Sequence, residues 1–194
     1  MGYHVKNSKR IIVGITGATG VIYGIKLLEA LKQKEDIETH LIISEWSAKN
    51  IELETNYCLD DVLELADYNY DNNNLAAKIS SGSFRSSGMI VIPCSMKTLS
   101  AISSGFAYNL IARVADVMLK EHHPLILVPR ETPLNVIHLE NMNKLARIGV
   151  HIMPPMPSFY HKPKTIDDLL DHFTGRVLDL IGIEHEMKGR WGGV

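Results

Sequence analysis

The chain has 194 residues, with 20 Lys and Arg against 22 Asp and Glu, giving a formal net charge of −2. That near-balance removes any global electrostatic case for binding nucleic acid or an anionic membrane, so anion recognition has to come from local placement. With 45% hydrophobic residues, two cysteines and no apolar run of about 18 residues, it reads as one cytoplasmic globular domain without disulfides or a membrane span.

Residues 1–10 are polar and carry no signal-peptide pattern. Residues 11–15 (IIVGI) form a β-rich run that reads as a buried strand, followed by a glycine turn and a helix over 21–33. The next strand is 40–44 and the next helix 45–56. Further strands fall at 89–93 (MIVIP), 125–129 (LILVP) and 150–153, and further helices at 110–120, 136–148 and 165–181. Apolar strands separated by helices predict an α/β fold: a doubly wound, mostly parallel, Rossmann-like sheet with helices on both faces. One domain spans 10–183, and 184–194 remain as a C-terminal tail.

Three turns that follow strands carry small or polar residues: 16–20, 94–98 and 130–135. Ligands of open parallel sheets sit beyond the strands' carboxyl ends, so these turns mark the candidate site. The loop 80–84 (SSGSF) precedes a strand and belongs at the other end of the sheet or at a subunit contact. In the first turn, Gly14, Gly17 and Gly20 let the backbone approach a phosphate at a helix start. That attraction amounts to about 0.3–1 kcal/mol when exposed and about 2 when partly buried, so further donors are needed. A tight turn with packing glycines explains the same residues equally well.

A nicotinamide cofactor fits poorly, because the second strand ends in Ser44 where a ribose-binding acid would stand. Tyr160 and Lys164 have a reductase-like separation, but Pro163 between them disfavours the helix that would align them. The second turn, Cys94-Ser95-Met96-Lys97-Thr98, sets two hydroxyls and an ammonium at a helix start, a plausible phosphate cradle. Ser95 as an N-cap with a solvated Lys97 explains it too. Cys94 lacks an evident His partner and reads as a buried strand-end residue. Arg113, Lys120, Arg130 and Arg176 fall on or near elements leading to one sheet edge, and Glu131 beside Arg130 can exchange protons.

Seven motifs occur in order: 14–20 (GITGATG), 79–84 (ISSGSF), 93–99 (PCSMKTL), 115–121 (ADVMLKE), 130–134 (RETPL), 138–142 (HLENM) and 154–160 (PPMPSFY). Together they resemble the UbiX family of flavin prenyltransferases, and Thr19 and Trp46 resemble the branch of that family once named for phenolic acid decarboxylase. The resemblance implies transfer of the dimethylallyl group of dimethylallyl phosphate to N5 and C6 of reduced FMN. The product, prenylated FMN, would serve a UbiD-type decarboxylase. It further implies FMN contacts at Gly17, Ala18, Thr19, Ser44, Ser95, Met96, Lys97, Thr98 and Arg130. Tyr160 and Arg176 would meet the prenyl phosphate, with Arg113 and Lys120 supplying charge. Glu131 would move a proton and Glu54 support it, while Trp191 of the tail would form an aromatic wall for a neighbouring subunit of a homododecamer. Thr19 stands where many members carry Ser; it keeps the hydroxyl and adds a methyl.

Asp167, Asp168 and Asp171 spell the magnesium pattern of other prenyl-transfer enzymes. At a helix start behind Thr165 they read instead as capping residues, so no metal is expected. An FMN-dependent decarboxylase and an FMN-carrying component of a decarboxylase complex are the competing readings.

Overall fold

The computed structural model describes residues 8–187. Strands β1 (Lys9–Ile15), β2 (Ile37–Ile43), β3 (Tyr68–Asp71), β4 (Gly88–Cys94), β5 (Leu125–Pro129) and β6 (His151–Ile152) form one sheet in the order β3-β2-β1-β4-β5-β6. Every neighbouring pair is parallel. The helices are α1 (Val21–Lys32), α2 (Glu45–Glu54), α3 (Leu59–Leu63), α4 (Met96–Ser104), α5 (Leu110–Lys120), α6 (Val136–Arg147) and α7 (Ile166–Leu180).

Alternation along the central strands explains the two helical layers. Ile11, Val13 and Ile15 face a core built with Val21 and Ile25 of α1 and Val177 of α7. Ile12, Met89 and Val91 face the opposite layer, with Leu99 of α4, Ile111 of α5 and Leu145 of α6. The chain runs outward from β1 to β3 and then returns to place β4 on the other flank of β1. The switch point therefore lies between β1 and β4, where parallel sheets open a crevice.

The structure adds elements the sequence reading lacks. Strand β3 reads Tyr-Asn-Tyr-Asp, an edge strand too polar for an apolar-run criterion. The last strand shrinks from the expected 150–153 to His151–Ile152, although the Met153 N–H still donates to the Leu127 carbonyl at 2.8 Å.

A polar cluster ties β3 to β2. The buried His40 ring lies 2.8 Å from Glu38 Oε1 through Nε2 and 2.9 Å from the Tyr70 hydroxyl through Nδ1. It stacks on Tyr68 at 4.9 Å, and Phe84 meets it edge-on. Arg10 pairs with Glu38 at 2.9 Å, and Lys78 sits over the Tyr68 ring.

Candidate active site

Thr16 sets the local geometry at the switch point. Its buried hydroxyl donates to the Pro93 carbonyl at 2.8 Å and accepts from the Ser95 N–H at 2.7 Å. One side chain thus fixes the turn after β1 against the turn after β4. The cleft they open has a volume of about 660 Å³, within the range of small-molecule sites. Its walls come from the turns after β1 to β4 and from the approach to α5, with Ile43, Trp46 and Tyr108 giving it apolar and aromatic surface.

Three helix starts face this cleft. Ser44 caps α2 by accepting from the Ser47 N–H at 3.3 Å, and Ser95 caps α4 by accepting from Thr98 at the same distance. Asn109 caps α5, accepting from Ala112 at 2.9 Å. Asn72, in the turn after β3, braces that last start by accepting from Leu110 at its carbonyl and from Ile111 at its side chain. The positive ends of these dipoles converge with the Lys97 ammonium, which lies 5.3 Å from the Tyr108 ring centroid. A phosphate-bearing, flat aromatic ligand suits this combination of donors and ring faces.

Gly17 borders the cleft because nothing larger fits: a Cβ there would meet Trp46 Cβ at 2.6 Å. Gly20 ends the same turn in the left-handed region at φ 94°, leaving α1 without a side-chain cap. Glu54 Oε2 accepts the Gly20 N–H at 2.7 Å instead. Cys94 is fully buried, which pushes its thiol far above the usual range and makes it unfit as a nucleophile.

Of the residues assigned to FMN, Gly17, Ser44, Ser95, Lys97 and Thr98 line the cleft. Ala18 and Thr19 belong to the same first turn, and Met96 opens α4, without forming the cleft wall. Arg130 follows β5, where its N–H donates to the Cys94 carbonyl at 3.2 Å and its guanidinium acts on Tyr23 of α1. Glu131 is exposed and accepts from the Thr132 N–H at 3.0 Å.

The expectation that four cations share one sheet edge needs correction. Helix α5 starts at the cleft and runs away from it, about 1.5 Å per residue. Arg113 pairs with Asp116 one turn in, and Lys120 at the far end pairs with Glu121 beside the loop carrying Gly82. Helix α7 also runs toward the strands' amino ends, where Ile181 packs against Gly88 at the start of β4. Arg176 lies in its second half, paired with Asp179 at 3.0 Å. Within one protomer, Arg130 follows the carboxyl end of β5 and Arg113 stands one turn into α5, whereas Lys120 and Arg176 lie toward the opposite end of the sheet. The placement of loop 80–84 at the other end agrees with expectation.

Tyr160 precedes α7 and contacts His172 of that helix at 2.6 Å. Trp191 lies outside the described residues. Of the tail, the described residues 184–187 fold against their own α7, with His185 Nε2 3.1 Å from Asp179. Two of the three aspartates are occupied structurally: Asp168 accepts from the Lys164 and Thr165 N–H groups, and Asp167 pairs with Lys26 at 3.2 Å. Among the described residues, no cluster of three His, Cys, Asp or Glu is arranged to hold a metal ion.

Sequence reasoning missed Thr16 as a stitch, the stretch 71–73, Tyr108 and Asn109. Asn109 before an apolar-periodic helix is a readable N-cap signal, and the Asp-Asn-Asn run is a readable turn signal.

The Flavoprotein family profile matches residues 2–178. A probable UbiX-like flavin prenyltransferase of Escherichia coli O157:H7 is 55% identical over 185 residues, covering 95% of this chain and 94% of the relative. A crystal structure described as a dodecameric FMN-dependent UbiX-like decarboxylase from the same organism superposes with a TM-score of 0.93 at 55% identity, covering 95% of this chain and 100% of that one. The structure of AnUbiX (PadA1), solved with FMN and dimethylallyl pyrophosphate, gives 0.94 at 52% identity, covering 96% and 99%. A switch-point cleft built from helix starts, hydroxyls and one lysine, carried on a chain more than half identical to such proteins along nearly its whole length, leads to one conclusion: the chain belongs to the UbiX-like flavin prenyltransferases.

Proposed function

We propose that this cleft holds reduced FMN and that the chain joins to it the dimethylallyl group of dimethylallyl phosphate, giving prenylated FMN for a UbiD-type decarboxylase. The observation that carries this reading is the convergence of the α2, α4 and α5 starts with Lys97 on a cleft flanked by Trp46 and Tyr108. The donor set fits a phosphorylated flavin: hydroxyls and helix ends for the anion, and ring faces for the tricycle.

Reduced FMN supplies the nucleophilic N5 and C6 positions. The allylic C–O bond breaks with its electron pair leaving on phosphate, so the site has to hold the departing anion and keep water out. Burying five carbons contributes only about 4 kcal/mol at about 0.8 per carbon, which leaves much of the binding to the phosphate. Tyr160 and Arg176 are assigned to that phosphate, with charge from Arg113 and Lys120. Bonding at C6 consumes the allyl double bond, whose neighbouring carbon gains a proton while C6 loses its own, and Glu131 is assigned to this proton exchange. Glu54 holds the Gly20 amide and so the first turn. Gly17, Ala18, Thr19, Ser44, Ser95, Met96, Lys97, Thr98 and Arg130 are assigned to FMN.

Lys120 and Arg176 both lie in the later halves of helices that run away from their own cleft, so the cleft of a neighbouring copy is the natural recipient of both charges. A homododecamer, the assembly described for the E. coli relative, is the proposed context, with Trp191 serving a neighbouring subunit. No helix of the described residues is long and apolar enough to cross a membrane, and the proposed location is the cytoplasm.

The test is to incubate pure protein with reduced FMN and dimethylallyl phosphate and to weigh the flavin. A five-carbon gain, undiminished by a chelator, is the expected result. No gain, with carbon dioxide released from a phenolic acid, would favour the decarboxylase reading instead. Arg176→Ala should impair use of the prenyl phosphate and spare FMN binding, and equal loss of both would remove Arg176 from the phosphate. Glu131→Ala should bind both ligands and stall, so an undiminished rate would remove it from the mechanism.

A further inference from the structure

His172 on α7 has no part in the assignments above, yet its ring is held on three sides. Tyr160 Oη lies 2.6 Å from Nε2, and Ser158 Oγ lies 3.1 Å from Nδ1 and 3.4 Å from Nε2. His161 stacks flat on it, with ring centroids 4.6 Å apart and an interplanar angle of 8°. Both ring nitrogens of His161 are buried without a hydrogen-bond partner among the described residues, so that ring acts there as a packing surface. His172 and Arg176 stand four residues apart on α7 and share one helix face. Tyr160, which is exposed, therefore projects from the face that carries Arg176.

We propose that His172 is a positioning residue that aims the Tyr160 hydroxyl at the prenyl phosphate beside Arg176; this rests on the assignment of Tyr160 to that phosphate. The hydrogen-bond direction matters because a tyrosine has one proton to give. If Tyr160 donated to His172, only acceptor capacity would face an anion. With Ser158 donating to Nδ1, the imidazole carries its proton on Nε2 and donates to Tyr160 Oη. The phenolic O–H is then directed outward to a phosphate oxygen. Stacking on His161 keeps the imidazole from rotating out of this chain of donors.

The experiment compares His172→Ala, His172→Gln, Tyr160→Phe and the Tyr160→Phe/His172→Ala double variant in the full-length protein. It measures kcat and KM for dimethylallyl phosphate, competition by inorganic phosphate, FMN affinity and thermal unfolding. Tyr160→Phe and His172→Ala should each raise KM and the phosphate inhibition constant about tenfold, with FMN affinity unchanged. The double variant should be no worse than Tyr160→Phe, because the proposed effect of His172 on the phosphate passes through that hydroxyl. His172→Gln, which can still donate from its side-chain amide, should recover most of the loss.

Multiplying effects in the double variant, or an unimpaired His172→Ala beside an impaired Tyr160→Phe, would overturn the role of His172 and leave Tyr160 at the phosphate. An unimpaired Tyr160→Phe would overturn both. If His172→Ala unfolds, His172→Gln and the phosphate competition decide alone: retained inhibition supports the chain of donors, and inhibition lost in a folded protein overturns it.

Discussion

The turns after β1 and β4 lie side by side at the switch point, and both combine small residues, hydroxyls and a helix start. In the first, the helix begins at a left-handed Gly20 whose amide is already taken by the Glu54 carboxylate. A negative group at that end of α1 meets the helix dipole and weakens the pull on a phosphate. In the second, Ser95 caps α4, and the residues that line the cleft include a lysine. The glycine-rich turn provides room, and the hydroxyl-rich turn provides charge. A glycine pattern alone therefore locates a close approach of backbone to ligand, and the anion site has to be sought in its neighbour.

That contrast can be broken most severely through the residue that joins the two turns. Thr16→Val leaves the Ser95 N–H and the Pro93 carbonyl short of a buried partner, at about 1–3 kcal/mol each. Calorimetry should show a loss of about 3 kcal/mol, about 6–12 °C in melting temperature. Thr16→Ser should restore it. Gly17→Ala pushes a methyl into Trp46 and should cost about 1–3 kcal/mol, with FMN affinity falling alongside. Lys97→Gln should weaken FMN binding about tenfold in a fluorescence titration while the melting temperature barely moves. Ser95→Ala removes one cap and should cost about 1 kcal/mol. Should Lys97→Gln leave FMN affinity intact, the division of labour between the turns fails.

The central strands were legible because β-branched runs bounded by turn residues have few other homes, and the five apolar runs all returned as strands. Strand β3 escaped because an edge strand carries no apolar signature, and the 71–73 wall of the cleft escaped with it. The turns themselves were legible, since a parallel sheet puts every strand-to-helix turn at one edge. The helix ends that Lys120 and Arg176 occupy were not legible, because a motif shows which helix carries a charge without showing which end of that helix it lies at. Only the direction of travel from strand to helix settles that, and both residues lie in the later halves of helices that run away from the cleft's edge of the sheet.

The His40 cluster makes the cleft wall sensitive to acid. Burial holds the His40 imidazole below its ordinary range despite the neighbouring Glu38, with Lys78 and Arg10 acting in the same downward direction. As pH falls through the usual histidine range, the unfolded chain takes up its proton first, and the stability this ring contributes drains away. The strand it secures leads directly into Asn72, the brace on the start of α5. Mild acidification thus loosens an outer strand and, through it, one of the dipoles aimed at the ligand, so flavin retention should decline before the rest of the sheet gives way.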